Sequence, residues 1–303
     1  MKVIVTGASG FIGNHVLKQL QQKDFSVHAI SRNPQKSIEG ITWHSLDLFD
    51  SDAVTSFLKS TQASHLLHLA WDVTHGAYWN SVENFHWVKA SLHLLTKFRE
   101  LGGMRAVVAG TCAEYDWGYG YLREVTTPLN PNSPYGVCKA SLYHMLTSYS
   151  QQTELSFAWG RIFFTFGLYE HPSRVIPYVI QSLMAGKTAE LSSGDQIRDF
   201  MYVKDVAAAF ASLLTHDLQG SINISSANPI RLKQMALSIA DKLNKPDKLL
   251  FGACESDKYP LVVGDNKRLR DELNFLPTYS IDEALDETIE WWQQRMRSNN
   301  EKD

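Results

Sequence analysis

The sequence predicts an α/β fold: a doubly wound parallel sheet with a second, smaller mixed α/β domain. Three observations carry that expectation. Short apolar runs alternate with stretches of helical periodicity through the first half of the chain. A glycine-rich turn follows the first of those runs. Beyond Gly167 the alternation loosens, and glycine and proline become more frequent.

The elements follow in order. Val3 to Val5 is an apolar run ahead of glycines and reads as a buried strand. Phe11 to Gln22 places Ile12, Val16, Leu17 and Leu20 at helical spacing. Ser26 to Ile30 is a second strand, stopped by Asn33 and Pro34. Ile41 to Trp43 is a weak third strand, and Ser51 to Lys59 a helix with Ser51 or Asp50 as N-cap. His65 to Leu69 is a fourth strand. A long helix is expected over Trp79 to Leu101, ended by Gly102 and Gly103. Met104 to Ala109 is a fifth strand, Pro134 to Gln152 a helix and Leu155 to Trp159 a sixth strand. Strands alternating with helices give a parallel sheet covered on both faces, and right-handed crossovers wind it doubly. Later strand pieces fall at 189–191, 200–203 and 222–224, with helices over 205–215, 232–243 and 281–296.

In the sequence TGASGFIG over 6–13, Gly7 allows a tight turn, Gly10 lets the backbone approach a pyrophosphate, and Gly13 lets the helix pack close to the sheet. The backbone of Ser9, Phe11 and Ile12 then offers free N–H groups at a positive helix end. Placed between a strand and a helix, this is a dinucleotide (Rossmann) fingerprint. Residues 1–167 are therefore expected to form a dinucleotide-binding domain, to which the chain returns around 198–224, and 168–303 a smaller substrate domain. The second strand ends in Ser31 and Arg32 with no carboxylate, so Arg32 suits a 2′-phosphate. NADP(H) is favoured, with NAD(H) as the alternative. Asp47 and Leu48 follow the third strand, where a carboxylate can receive the adenine amino group.

The sequence YGVCK over 135–139 sets Tyr135 and Lys139 one helical turn apart on one face. A ketone that accepts hydride needs a proton donor, and an ammonium beside a phenol favours the phenolate. Thr111, after the fifth strand, supplies a hydroxyl to orient the substrate. The bulk properties are neutral. A net charge of −3 gives no sign of nucleic-acid or membrane-surface binding. Three cysteines without metal-ligand spacing suit reduced thiols, and no metal site is expected. A strand pattern from Lys2 leaves no room for a signal peptide, no run approaches a membrane span, and the cytoplasm is the expected compartment.

These motifs resemble the extended short-chain dehydrogenase/reductase family, the NAD(P)-dependent sugar-nucleotide epimerase/dehydratase group. Further matching segments are His68, Leu69 and Ala70; Thr111 four before Tyr115; Glu124 with Thr127; Arg161 with Gly167; and RDFMYVKDV over 198–206. The resemblance covers nearly the whole chain. It implies a nucleotide-activated substrate, an Arg198 that contacts a substrate pyrophosphate, and a homodimer formed by the long helices.

Departures from the pattern narrow the expectation. Dehydratases of the group carry an acidic pair after the threonine; here Cys112 and Ala113 stand there, with Glu114 next, and all three are candidates to line the substrate, Glu114 with the favoured alternative of positioning the Tyr115 loop. Phe164 replaces an amide that commonly contacts substrate, which also makes a standard UDP-galactose epimerase a poor match. Lys258 is a candidate for a missing phosphate-binding arginine. Trp71 and the aromatics of its loop are candidates to face a sugar or base, and Arg174 to reach a diphosphate. The expected function is an NADP(H)-dependent reductase of a nucleotide-linked 4-keto-6-deoxy sugar. The alternatives are an NAD-dependent sugar-nucleotide 4-epimerase, reduction of a non-nucleotide carbonyl compound and a non-catalytic cofactor-sensing regulator.

Overall fold

The computed structural model describes residues 1–33 and 35–300, so Pro34 and residues 301–303 lie outside the described part. In chain order the strands are β1 (Lys2–Thr6), β2 (Ser26–Ser31), β3 (Ile41–Ser45), β4 (His65–His68), β5 (Arg105–Thr111), β6 (Tyr121–Leu122) and β7 (Ser156–Ile162). They continue as β8 (Phe164–Phe166), β9 (Ala189–Leu191), β10 (Ile197–Tyr202), β11 (Gly220–Ile224), β12 (Pro229–Arg231), β13 (Leu249–Phe251) and β14 (Leu261–Gly264). The helices are α1 (Phe11–Gln21), α2 (Ser51–Thr61), α3 (Glu83–Glu100), α4 (Pro134–Thr153), α5 (Val175–Met184), α6 (Val203–Thr215), α7 (Leu232–Lys242) and α8 (Ile281–Asn300).

Seven strands form one parallel sheet in the order β11-β7-β5-β4-β1-β2-β3. The order reverses between β1 and β4, and ligands of open α/β sheets bind at such a switch, beyond the carboxyl ends of the strands. Every residue of β5 is buried, as a central strand covered on both faces requires. One face packs α1 and α6 around Val16, Leu20, Phe210 and Leu213. The other packs α2, α3 and α4 around Leu58, Leu94, Phe98 and Leu146.

A second sheet runs β12-β10-β14-β6, with β8 paired to β10. A third core beside it gathers α5, α7 and α8 around Ile180, Met235 and Leu285. The return toward the large sheet, expected from about residue 198, starts later. Strand β10 belongs to the small sheet, and only from Val203 does the chain run along the large one.

Local chemistry explains the element ends. Asp50 caps α2 by accepting from the Asp52 and Ala53 amides. Ser133 caps α4, with Pro134 at its first position. The long helix begins at Glu83 rather than Trp79, because Tyr78–Asn80 turn as a separate short 3-10 segment. A helix not expected from the sequence, α5, follows Arg174 directly. Among the described residues no helix is long and apolar enough to cross a membrane.

Candidate active site

The glycine turn leads from β1 into α1, at the carboxyl edge of the large sheet. Gly7 takes φ +66°, and a Cβ there would lie 2.8 Å from the Ala70 nitrogen and the Leu69 carbonyl carbon. The turn is thus pressed against the end of β4. A Cβ on Gly13 would lie 2.1 Å from the Gly7 carbonyl oxygen. Gly13 therefore packs the helix onto the turn itself, a correction to the expected contact with the sheet. Gly10 begins α1 without any side chain capping it, so the amides of the first turn stay open to an anion. The cradle fits a dinucleotide pyrophosphate.

Around it, Ser9 Oγ is 3.2 Å from Ser31 Oγ at the end of β2. Ser31 also accepts from the Asn33 amide and Gln35 Nε2. Arg32 is exposed, and its side chain makes no hydrogen bond or ion pair among the described residues. Asp47 is exposed and accepts from the Phe49 amide, whereas Leu48 is buried. Under Leu69 and Ala70, Thr6 Oγ1 bonds His68 Nδ1 at 2.7 Å and His68 Nε2 bonds Ser91 Oγ at 2.8 Å. Burial, helped by the Lys139 charge, pushes His68 down to about 3, so its ring is neutral.

Tyr135 and Lys139 point from one face of α4 toward the end of β5, and both are buried. Burial pushes the Tyr135 phenol well above its ordinary range; neighbouring Tyr78 adds to this, and the Thr111 hydroxyl beside it partly offsets it. The depression by Lys139 expected from the spacing does not occur; the phenol is boxed in by Tyr78, Trp79 and Trp71 at 4.9, 5.6 and 6.4 Å between ring centroids. Burial also pulls Lys139 down to about 7, against the Glu114 charge. Its Nζ donates to the Ala109 carbonyl at 2.9 Å. The result is a protonated phenol with an ammonium one turn away and a hydroxyl alongside, which can hand a proton to a developing alkoxide.

Glu114 does not face a substrate. It is fully buried and pairs with Arg161 Nε at 2.7 Å. It also accepts from the Thr111 amide at 2.8 Å and from Trp159 Nε1 at 2.9 Å. Arg161 Nη1 donates to Tyr115 OH, which donates to Asn223 Oδ1. The carboxylate thus braces the backbone of Thr111 from below. Cys112 turns into an apolar cluster with Tyr115, Leu122, Phe163 and Val262, and burial pushes its thiol up to about 12. Ala113 lines a small cavity with Trp79, Trp117, Asn130, Asn132 and Tyr259.

Phe164 lies between Trp117 and Phe200, at 6.1 and 5.9 Å. Arg198 sits over Phe164, and its Nη2 donates to Asp257 at 2.8 Å and to the Tyr259 carbonyl at 2.9 Å. Arg174 lies 5.9 Å from the Tyr78 ring centroid, at the start of α5. The exposed Lys258 lies over the Tyr259 ring, in the loop that holds Arg198. Sequence reasoning missed the cavity's two amides, Asn130 and Asn132, because nothing local marks them. Among the described residues no group of three or more His, Cys, Asp or Glu could hold a metal ion.

The profile of the NAD dependent epimerase/dehydratase family matches residues 3–225. The chain is 28% identical to dTDP-6-deoxy-L-talose 4-dehydrogenase (NAD(+)) of Aggregatibacter actinomycetemcomitans over 238 residues, 77% of this chain and 87% of that one. It is 25% identical to dTDP-glucose 4,6-dehydratase of Xanthomonas campestris pv. campestris over 329 residues, 95% of this chain and 92% of that one. The solved UDP-N-acetylglucosamine 4-epimerase of Methanobrevibacter ruminantium superposes with a TM-score of 0.88 at 26% identity, covering 97% of this chain and 99% of that one.

Proposed function

Because this chain belongs to the NAD dependent epimerase/dehydratase family, within the extended short-chain dehydrogenases/reductases, we propose that it is an NADP(H)-dependent reductase of a nucleotide-linked 4-keto-6-deoxy sugar. The observation that carries this reading is the absence of a free acid–base pair beside Thr111. Cys112 and Ala113 follow the threonine, and the neighbouring carboxylate, Glu114, is consumed by Arg161. Elimination of water needs such a pair; redox at a single carbon needs only a hydride and a proton. Likeness to a 4-dehydrogenase of a 6-deoxy sugar nucleotide supports the same choice.

A bound nicotinamide supplies or takes the hydride. The chain's own residues do the rest. The turn over 7–13 and the open end of α1 hold the pyrophosphate, and Lys139 holds the nicotinamide ribose. Thr111 holds the sugar oxygen at C4, and Tyr135 OH gives that oxygen its proton. Burial keeps the phenol protonated, so it holds a proton to give when the alkoxide develops. Exposed Arg32, unpaired among the described residues, supports NADP(H) by offering a cation where the 2′-phosphate would lie. Cleft residues Trp71, Phe164, Arg174 and Arg198 are assigned to the substrate side. Phe85, Val137 and Met145, exposed on α3 and α4, support a homodimer through those helices.

The test is the cofactor that leaves the purified protein on denaturation, followed by titration with NADPH and NADH. A site that prefers NADPH, with the preference lost in Arg32→Asp, supports the reductase. Tightly held NAD that is not consumed during turnover refutes it in favour of the 4-epimerase.

A further inference from the structure

Lys139 is a buried cation without an anionic partner of its own. It is 4% exposed, and the Ala109 carbonyl is the one hydrogen-bond acceptor it finds among the described residues. The nearest carboxylate, Glu114, already serves Arg161, Trp159 and the Thr111 amide. An ammonium taken out of water with a single carbonyl contact is strongly disfavoured. What faces it instead is the indole of Trp71, whose ring centroid lies 3.8 Å from Nζ. That is well inside the distance, about 6 Å, at which a ring quadrupole attracts a cation. Trp159 stands farther off, at 5.9 Å.

The indole is not free to swing. Its Nε1 donates to Asn84 Oδ1 at 2.8 Å. Asn84 is 2% exposed, and its Nδ2 donates to the carbonyls of Tyr78 and Ser81, each at 2.8 Å. All three bonds agree on one orientation of the amide: an indole N–H demands oxygen, and two carbonyls demand the NH₂. Tyr78, held by its carbonyl, sets its ring edge-on to Tyr135 at 4.9 Å and 88°. One buried amide therefore ties down the ring above Lys139 and the ring beside Tyr135.

We infer that Trp71 is a positioning residue whose π face acts as the counter-group of the Lys139 ammonium, and that Asn84 is the latch holding Trp71 and the Tyr78 turn against the Tyr135–Lys139 pair. The inference rests on the proposed function in taking those two residues as the reacting pair. It assigns to Trp71 a role toward the enzyme's own lysine, distinct from contact with the substrate.

The consequence is a pH dependence. The charged and titratable groups facing Lys139 are Glu114 from the turn after β5, His68 from the end of β4 and Tyr135 one turn earlier on α4. Neutral His68 and the protonated Tyr135 keep their charge from pH 5.5 to 9, so the part of a change in that window that Lys139→Met abolishes reports Lys139. Cofactor affinity is then constant at low pH and falls as pH rises through about 7. Removing the π face disfavours the charged form and moves the fall downward.

The test is calorimetric titration of the full-length protein with NADPH from pH 5.5 to 9, for wild type, Trp71→Leu, Trp71→Phe and Asn84→Ala, with Lys139→Met as the control that abolishes the limb. In Trp71→Leu the fall is expected about one pH unit lower. Trp71→Phe, which keeps a weaker face, and Asn84→Ala, which frees the indole, shift it less in the same direction. A folded Trp71→Leu whose profile superposes on wild type overturns the inference; if that variant does not fold, unshifted profiles in Trp71→Phe and Asn84→Ala do so. A wild type that binds no cofactor at any pH overturns the proposed function itself, a separate outcome.

Discussion

The brace beneath Thr111 makes the sharpest stability prediction. In Glu114→Gln the side chain keeps its shape but loses its charge. The carboxylate now takes the Thr111 amide at 2.8 Å, Trp159 Nε1 at 2.9 and 3.1 Å, and Arg161 Nε at 2.7 Å. Every partner is a donor, so the new NH₂ must face one of them, and the Arg161 guanidinium is left buried without a counter-charge. Breaking a buried pair from one side costs about 3–5 kcal/mol. The surviving bond from Arg161 Nη1 to Tyr115 OH, at 3.0 Å, places this case near the lower end. At about 1.6 °C per kcal/mol for a protein of this size, the melting temperature falls by roughly 5 °C. Scanning calorimetry measures the loss. The double variant Glu114→Gln with Arg161→Met removes both charges while the amide oxygen still accepts from the Thr111 amide and Trp159 Nε1, and should be less destabilised than Glu114→Gln. A single variant melting within about a degree of wild type, or a double variant worse than the single, refutes the reasoning.

Two further outcomes follow from the geometry. Gly13→Ala puts a methyl 2.1 Å from the Gly7 carbonyl oxygen and 2.7 Å from the Ala8 Cα. Both are backbone atoms of the turn, so cofactor affinity should drop by about a hundredfold or more, equivalent to roughly 2.7 kcal/mol, in an equilibrium titration. Asp50→Ala removes the carboxylate that accepts from the Asp52 and Ala53 amides at 3.1 and 2.9 Å; it should cost about 1 kcal/mol in denaturant unfolding.

The parts of the molecule that were legible in the sequence are those governed by local rules. The strand, glycine turn and helix over 2–21 announce themselves by apolar run, glycine spacing and period. Tyr135 and Lys139 do so by one helical turn and the Ser133–Pro134 start. Helix α5 was not legible because it follows Pro172, carries Pro177 inside its first turn and is apolar on several sides, so no polar alternation marks it. The short strands β6, β12, β13 and β14 exist only because a partner strand lies beside them. The Glu114–Arg161 pair joins residues 47 positions apart. Its one signal was the place of Glu114 just after Thr111, which suited a substrate contact as well as a residue positioning the Tyr115 loop. The hold of Asn84 on Trp71 had no signal at all, since it depends on a turn at Tyr78–Asn80 that displaces the start of α3.

The central claim is that this site moves a hydride to C4 of a nucleotide-linked sugar and that Tyr135 supplies the proton. The direct measurement is the fate of deuterium when [4,4-²H₂]NADPH is incubated with a dTDP-4-keto-6-deoxyhexose and the wild-type protein or Tyr135→Phe. The account predicts one deuterium at C4 of the product with one equivalent of NADPH oxidised. In Tyr135→Phe, kcat should fall by about 10²–10⁴-fold while NADPH affinity is retained. Sugar-nucleotide product formed without deuterium or net cofactor oxidation, or a Tyr135→Phe enzyme as fast as wild type, would contradict it.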